Sequence, residues 1–139
     1  MTPARRQRRG GTAIEFALTF PVFFLLLSGV IDIAWLSYTR AAMDSSNHLG
    51  CREGSTIDPA AGDANLGLVY SSTVDAIEAN LAVSRLETAN ATITVIAAYA
   101  SPSRSLNCKI DYFYEPLVGT IMPSLTLSTT TVVRFEYQR

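Results

Sequence analysis

The sequence has 139 residues, 48% of them apolar and 17% charged, and a mean hydropathy of +0.21. That length holds one compact domain plus an appendage, and the apolar content excludes a disordered chain. A formal net charge of −1 supplies no overall basic field for gathering nucleic acid, so no nucleic-acid partner is expected.

The small net charge hides an asymmetry. Arg5, Arg6, Arg8 and Arg9 all precede Gly11, and the first acid is Glu15. Without residues 1–10 the chain holds seven cations against twelve acids, a net charge of −5.

Phe16 to Ile31 is a sixteen-residue run without a charge, and Ile-Ala-Trp-Leu carries it past Asp32 to Leu36. At about 1.5 Å per residue, Phe16 to Leu36 spans roughly 31 Å as a helix, enough to cross a hydrocarbon core. A chain this short has too little other structure to wrap a helix that is apolar on every side, so the run reads as a membrane span in a lipid bilayer. The arginines keep the N-terminus cytoplasmic and deliver everything past the helix outside, with Trp35 and Tyr38 at an outer aromatic belt. Pro21 removes one helical hydrogen bond and is expected to kink or locally unwind the helix. Asp32 is an intramembrane acid near the outer end, open to partner pairing, proton transfer or snorkelling to the interface.

A basic segment before an apolar run is also how a secretory signal peptide begins. Signal-peptidase cleavage fits poorly, because the nearest small residue past the run, Ala42, has Arg40 two residues before it. A lipoprotein reading through Leu49-Gly50-Cys51 fails on the distance of Cys51 from the run. The cytoplasmic junction is the distinctive one, reading Arg8-Arg9-Gly10-Gly11-Thr12-Ala13-Ile14-Glu15-Phe16. A carboxylate against the start of an apolar helix is costly in lipid unless it stays at the interface or finds a partner. Its plainer use is to favour a helix N-terminus through the dipole.

Residues 37–53 are expected to continue the first helix, with Ala41, Ala42 and Leu49 facing a small domain. Gly54, Pro59, Gly62 and Gly67 mark a loop over 54–67. Tyr70, Val74, Ile77 and Leu81 recur at helical spacing, predicting an amphipathic second helix over 68–87. Residues 91–99 alternate as a strand, and Ser101-Pro102-Ser103 breaks it. Cys108, Ile110, Tyr112 and Tyr114 set a second strand that stops at Pro116. A loop over Pro116–Pro123 follows, and a third strand alternates from Leu125 to Tyr137. Two helices followed by three strands imply an α+β fold: a long N-terminal helix, half transmembrane and half periplasmic, a second amphipathic helix, and a small three-stranded antiparallel sheet.

Two cysteines, Cys51 and Cys108, fall in the exported part, where a disulfide between them is the default and two buried free thiols the alternative. No metal site is expected, since His48-x-x-Cys51 offers two ligands where structural zinc needs four. Nor is an enzyme expected: nucleophile-elbow, phosphate-loop, dinucleotide and metalloprotease motifs are missing and His48 is the only histidine. His48 and Cys51 as base and thiol are less plausible than oxidation of the cysteine. Asp75 and Glu78 on one helix face read as a solvated pair. Asn90-Ala91-Thr92 reads as a chance glycosylation sequon.

Basic leader, glycine, and an acid as fifth residue after the cut resemble the prepilin cleavage site of type IV pilin-like proteins. The resemblance places the cut between Gly10 and Gly11. Glu15-Phe16, Pro21, Asp32 and the stretch from Ala41 to Arg52-Glu53-Gly54 narrow it to the TadE-like pseudopilins of tight adherence (Tad, Flp-type) pilus systems. The strand from Leu125 to Glu136 is similar to the family's last strand, while residues 55–90 match it weakly. The resemblance implies a leader at 1–10, a transmembrane pilin-like helix at 11–38 and an extracytoplasmic head at 39–139. It implies a minor pseudopilin of the bacterial inner membrane, head periplasmic, acting in pilus assembly or initiation and so in adherence and biofilm formation, with no cofactor. The implied partners are a prepilin peptidase, other pilins and pseudopilins, and the inner-membrane assembly platform. Glu15, Phe16 and the new amine of Gly11 would dock the subunit. The alternative is an uncleaved, signal-anchored extracytoplasmic binding module.

Overall fold

The computed structural model describes residues 9–57, 63–98, 104–116 and 123–135. Helix α1 runs Arg9–Ser55 and α2 runs Asp63–Val83, a short 3-10 turn covers Thr88–Asn90, and strands β1, β2 and β3 cover Ala91–Ala98, Ser105–Tyr114 and Leu125–Arg134. The fold is α+β, with α1 projecting well beyond the head that the other elements build. Arg5, Arg6 and Arg8 of the leader, the Ser101–Ser103 break, Tyr99, most of the Pro116–Pro123 loop and the strand end at Tyr137 lie outside the described residues.

The sheet is a meander in the order β1-β2-β3, both pairs antiparallel, with Cys108 opposite Val95 on one side and Thr131 on the other. Strand periodicity gives it one inner face. Leu106, Cys108, Ile110, Tyr112 and Tyr114 of β2 are buried, and Ile93, Val95, Leu127 and Val133 flank them half-buried. β2 starts at Ser105, three residues before the expected Cys108, because Ser105 to Asn107 pair on both sides with residues whose alternation defined β1 and β3. On the outer face Lys109 Nζ lies 2.7 Å from Asp111 Oδ2, and the hydrogen bonds from Lys109 and then Ser128 hold the Asp111 carboxyl below its ordinary range.

α2 runs back antiparallel along the far half of α1, and the approach is close because α1 offers no side chain there. A Cβ at Gly50 would overlap Ile77 Cγ1 and sit 3.1 Å from both the Ile77 nitrogen and the Thr73 oxygen. One at Gly54 would overlap the Thr73 hydroxyl and sit 3.0 Å from Leu106 Cδ2. This contact sets the buried stripe of α2 as Val69, Thr73, Ile77 and Leu81. The expected face is therefore off by one position in its first half, with Tyr70 exposed and Val74 only partly covered. Thr73 is tolerated inside because its hydroxyl donates to the Val69 carbonyl at 2.6 Å.

α2 also begins five residues before the expected Leu68, absorbing Gly67, and it ends at Val83 rather than 87. Leu86 N–H donates to Leu81 O at 3.0 Å and Arg85 N–H to Ala82 O at 3.0 Å, with Arg85 at φ 56°. That pattern is a Schellman cap, with buried Leu86 and Leu81 as its apolar pair. An arginine where glycine is usual hid the stop from the sequence.

The head-facing stripe of α1 sets small and polar residues around one large apolar side chain: Asp32, Thr39, Ser46, Asn47, Gly50, Cys51 and Gly54 are buried along with Met43. Ala42 is buried as expected, but Ala41 and Leu49 face outward. Thr39 and Ser46 donate to the carbonyls of Trp35 and Ala42 at 2.9 and 2.8 Å, which removes the cost of burying them. Asn47 Nδ2 donates to Cys108 O at 3.2 Å across to the central strand. Beside it, Cys51 and Cys108 are joined in a disulfide, Cα–Cα 6.0 Å, at a sequence separation of 57.

Two stability outcomes follow from this packing. Gly50→Ala and Gly54→Ala should each destabilise the head by about 1–3 kcal/mol through overpacking, whereas Gly67→Ala, with open space around it, should stabilise by about 0.5–1 kcal/mol. Denaturant titration of the purified chain reads both signs. Reducing the Cys51–Cys108 bond should lower stability by up to about 4 kcal/mol in the same assay, through the loop it releases.

Candidate assembly arm and head–helix junction

From Gly11 to Leu27 every residue of α1 is exposed, including Ile14, Phe16, Leu18, Phe20 and the run Val22 to Leu27. The most apolar window of the helix has a mean hydropathy of 2.1, and none of that window is buried. A helix apolar all round and covered by none of its own chain is long and apolar enough to be a membrane anchor. Gly10 and Gly11 lie in its first turns, with nothing within 4 Å of where a Gly11 Cβ would be. The helix runs unbroken through Pro21, with no local unwinding there.

Glu15 is exposed, one turn above Gly11, and its carbonyl accepts the Thr19 hydroxyl. Phe16 is the first of three rings in a line. Its centroid lies 5.5 Å from that of Phe20, which lies 6.3 Å from that of Phe24. Four-residue spacing puts these rings on one helix edge, beside the one carboxylate of the arm. Phe20 and Phe24 escaped the sequence reading, although their spacing from Phe16 was a sufficient signal. Along the arm Ser28 donates to Phe24 O at 2.8 Å, so the hydroxyl is satisfied without water.

Asp32 marks where the arm meets the head. It is 2% exposed, and its backbone oxygen accepts Tyr114 Oη at 3.2 Å from the end of β2. The head therefore grips α1 from Asp32 onward. The Tyr114 phenol is pushed above its ordinary value, first by burial and then by the negative charge of Asp32. Six residues on, Tyr38 Oη donates to Ser84 O at 3.1 Å, tying the end of α2 to the same stretch.

His48 is exposed, and Cys51 has no free thiol to act with it. Asp75 and Glu78 are exposed on α2. The Asn90 side chain lies 3.4 Å from Glu87 Oε2.

Residues 10–46 match the family model described as TadE-like protein, and the match lies wholly within α1. Neither the curated proteins nor the solved structures gave a match.

Because the folded head disfavours ionised Tyr114, its contribution is complete below about pH 10 and is lost as pH rises through the raised folded value. Denaturation midpoints should therefore fall more steeply above pH 10 for the wild type than for Tyr114→Phe; parallel slopes would contradict the burial of that phenol.

Proposed function

We propose that the chain is a minor pseudopilin of a Tad (Flp-type) pilus, anchored in the bacterial inner membrane with its head periplasmic, where it takes part in pilus assembly or initiation. The observation that carries this reading is the TadE-like arm of α1, apolar on all sides, uncovered by its own head and bearing a single acid near its start. In lipid such a helix has no hydrophobic reason to associate, so association must come from packing and polar pairing. The arm offers both in the Phe16-Phe20-Phe24 edge and Glu15.

Prepilin peptidase would cut between Gly10 and Gly11, removing the four leader arginines and creating an α-amino group one turn from Glu15. Glu15 of one subunit would then offset the new amine of its neighbour inside a weakly screened helix bundle. The partners are other pilins and pseudopilins and the inner-membrane platform, the role is structural rather than catalytic, and adherence and biofilm formation are its consequences.

Glu15→Ala should leave membrane insertion and processing at Gly10-Gly11 intact and abolish surface piliation in cells, scored by electron microscopy. Normal piliation in that variant would remove the central role given to the carboxylate.

A further inference from the structure

The exposed surface of α1 changes character at the junction. Large exposed apolar side chains continue along the helix to Tyr38 and then stop until Leu49. Two hydrogen bonds fix which parts of the head lie at the level of that break. Tyr114 Oη to Asp32 O places the end of β2 there, and Tyr38 Oη to Ser84 O places the end of α2 there.

Both ends carry an apolar side chain turned away from the protein. Val83, at the last position of α2, is 83% exposed, more than any other large apolar residue described. Phe113, next to Tyr114, is 48% exposed on the sheet's outer face. Trp35 and Tyr38, ring centroids 5.5 Å apart, are exposed at the same level. The charged neighbours are Arg85 and Glu87 beyond Val83 and Glu115 beyond Tyr114, all exposed, so their polar ends can reach water or headgroups.

We infer that the base of the head, Val83 at the end of α2 and Phe113 at the end of β2, is seated in the bilayer interface beside Trp35 and Tyr38, so that the partner of this surface is a lipid surface. The inference rests on the reading of α1 as a membrane span. Continuity selects lipid as the occupant: the patch prolongs the exposed apolar band of α1, and it holds the two aromatic types that concentrate at membrane–water boundaries. The head is then docked on the membrane from two elements, rather than held clear of it on a stalk. Its outer sheet face has a contrasting apolar residue in Val132, which pairs with Asn107, seven positions along β2 from Tyr114 and about 23 Å away at the usual strand rise.

The test uses the full chain reconstituted in phosphatidylcholine vesicles. Val83→Cys, Phe113→Cys and Val132→Cys are spin-labelled without reductant, leaving the buried Cys51–Cys108 bond closed, and collision with oxygen and with a water-soluble nickel chelate is measured. Trp35, the only tryptophan, reports separately through quenching by brominated lipid. The expected result is an oxygen-to-nickel ratio several-fold higher at 83 and 113 than at 132, with Trp35 quenched. Water-like values at 83 or 113 with Trp35 quenched would overturn the seating of the head and leave the span intact. An unquenched Trp35 would overturn both.

Discussion

The close approach of α2 to α1 at Gly50 and Gly54 is the constraint on which the head depends. Helix axes can come this near only where one helix presents no side chain, and here the gap is filled by Thr73, Ile77 and Leu106. The contact sets the rotation of α2, and thereby which residues meet the sheet. It also places Cys51 between the two glycines, facing the central strand at Cys108. A small sheet and two helices bury a modest core, so a covalent tie from the end of α1 to the middle of β2 adds stability the apolar contacts alone would lack.

One continuous helix serves two environments. From Gly11 to Leu27 it is exposed throughout and mainly apolar; from Asp32 on, one stripe is buried against the head, while the exposed side chains stay largely apolar as far as Tyr38 and then turn mainly polar. Much of the buried stripe is polar, and its burial is offset where the Thr39 and Ser46 hydroxyls return to their own helix and the Asn47 amide donates to the Cys108 carbonyl. Continuity of the helix transmits any movement of the arm directly to the head, since Tyr114 and Tyr38 hold the head's two lower corners to it.

The elements legible in the sequence are those whose pattern is local. The span shows as missing charge, the strands as alternation over Ala91–Ala98 and Leu125–Arg134, and Glu15-Phe16 as an acid and an aromatic at an abrupt polarity change. The elements that escaped are set by partners far along the chain. Nothing local marks Val69 and Thr73 as buried in place of Tyr70 and Val74; the glycine notch decides it. The stop of α2 at Val83 was hidden because Arg85 takes the left-handed position. Tyr114 meets Asp32 across 82 residues, a pairing no periodicity reveals. Gly50 and Gly54, four apart on one helix face, were the readable clue to the helix pairing.

The central claim is that the arm is made for assembly by cutting the chain ahead of Glu15. N-terminal sequencing of the protein recovered from membranes, with and without the candidate prepilin peptidase, tests it most directly. The account predicts a start at Gly11 only when the peptidase is present. A chain that still carries the residues before Gly11 in its presence would contradict it.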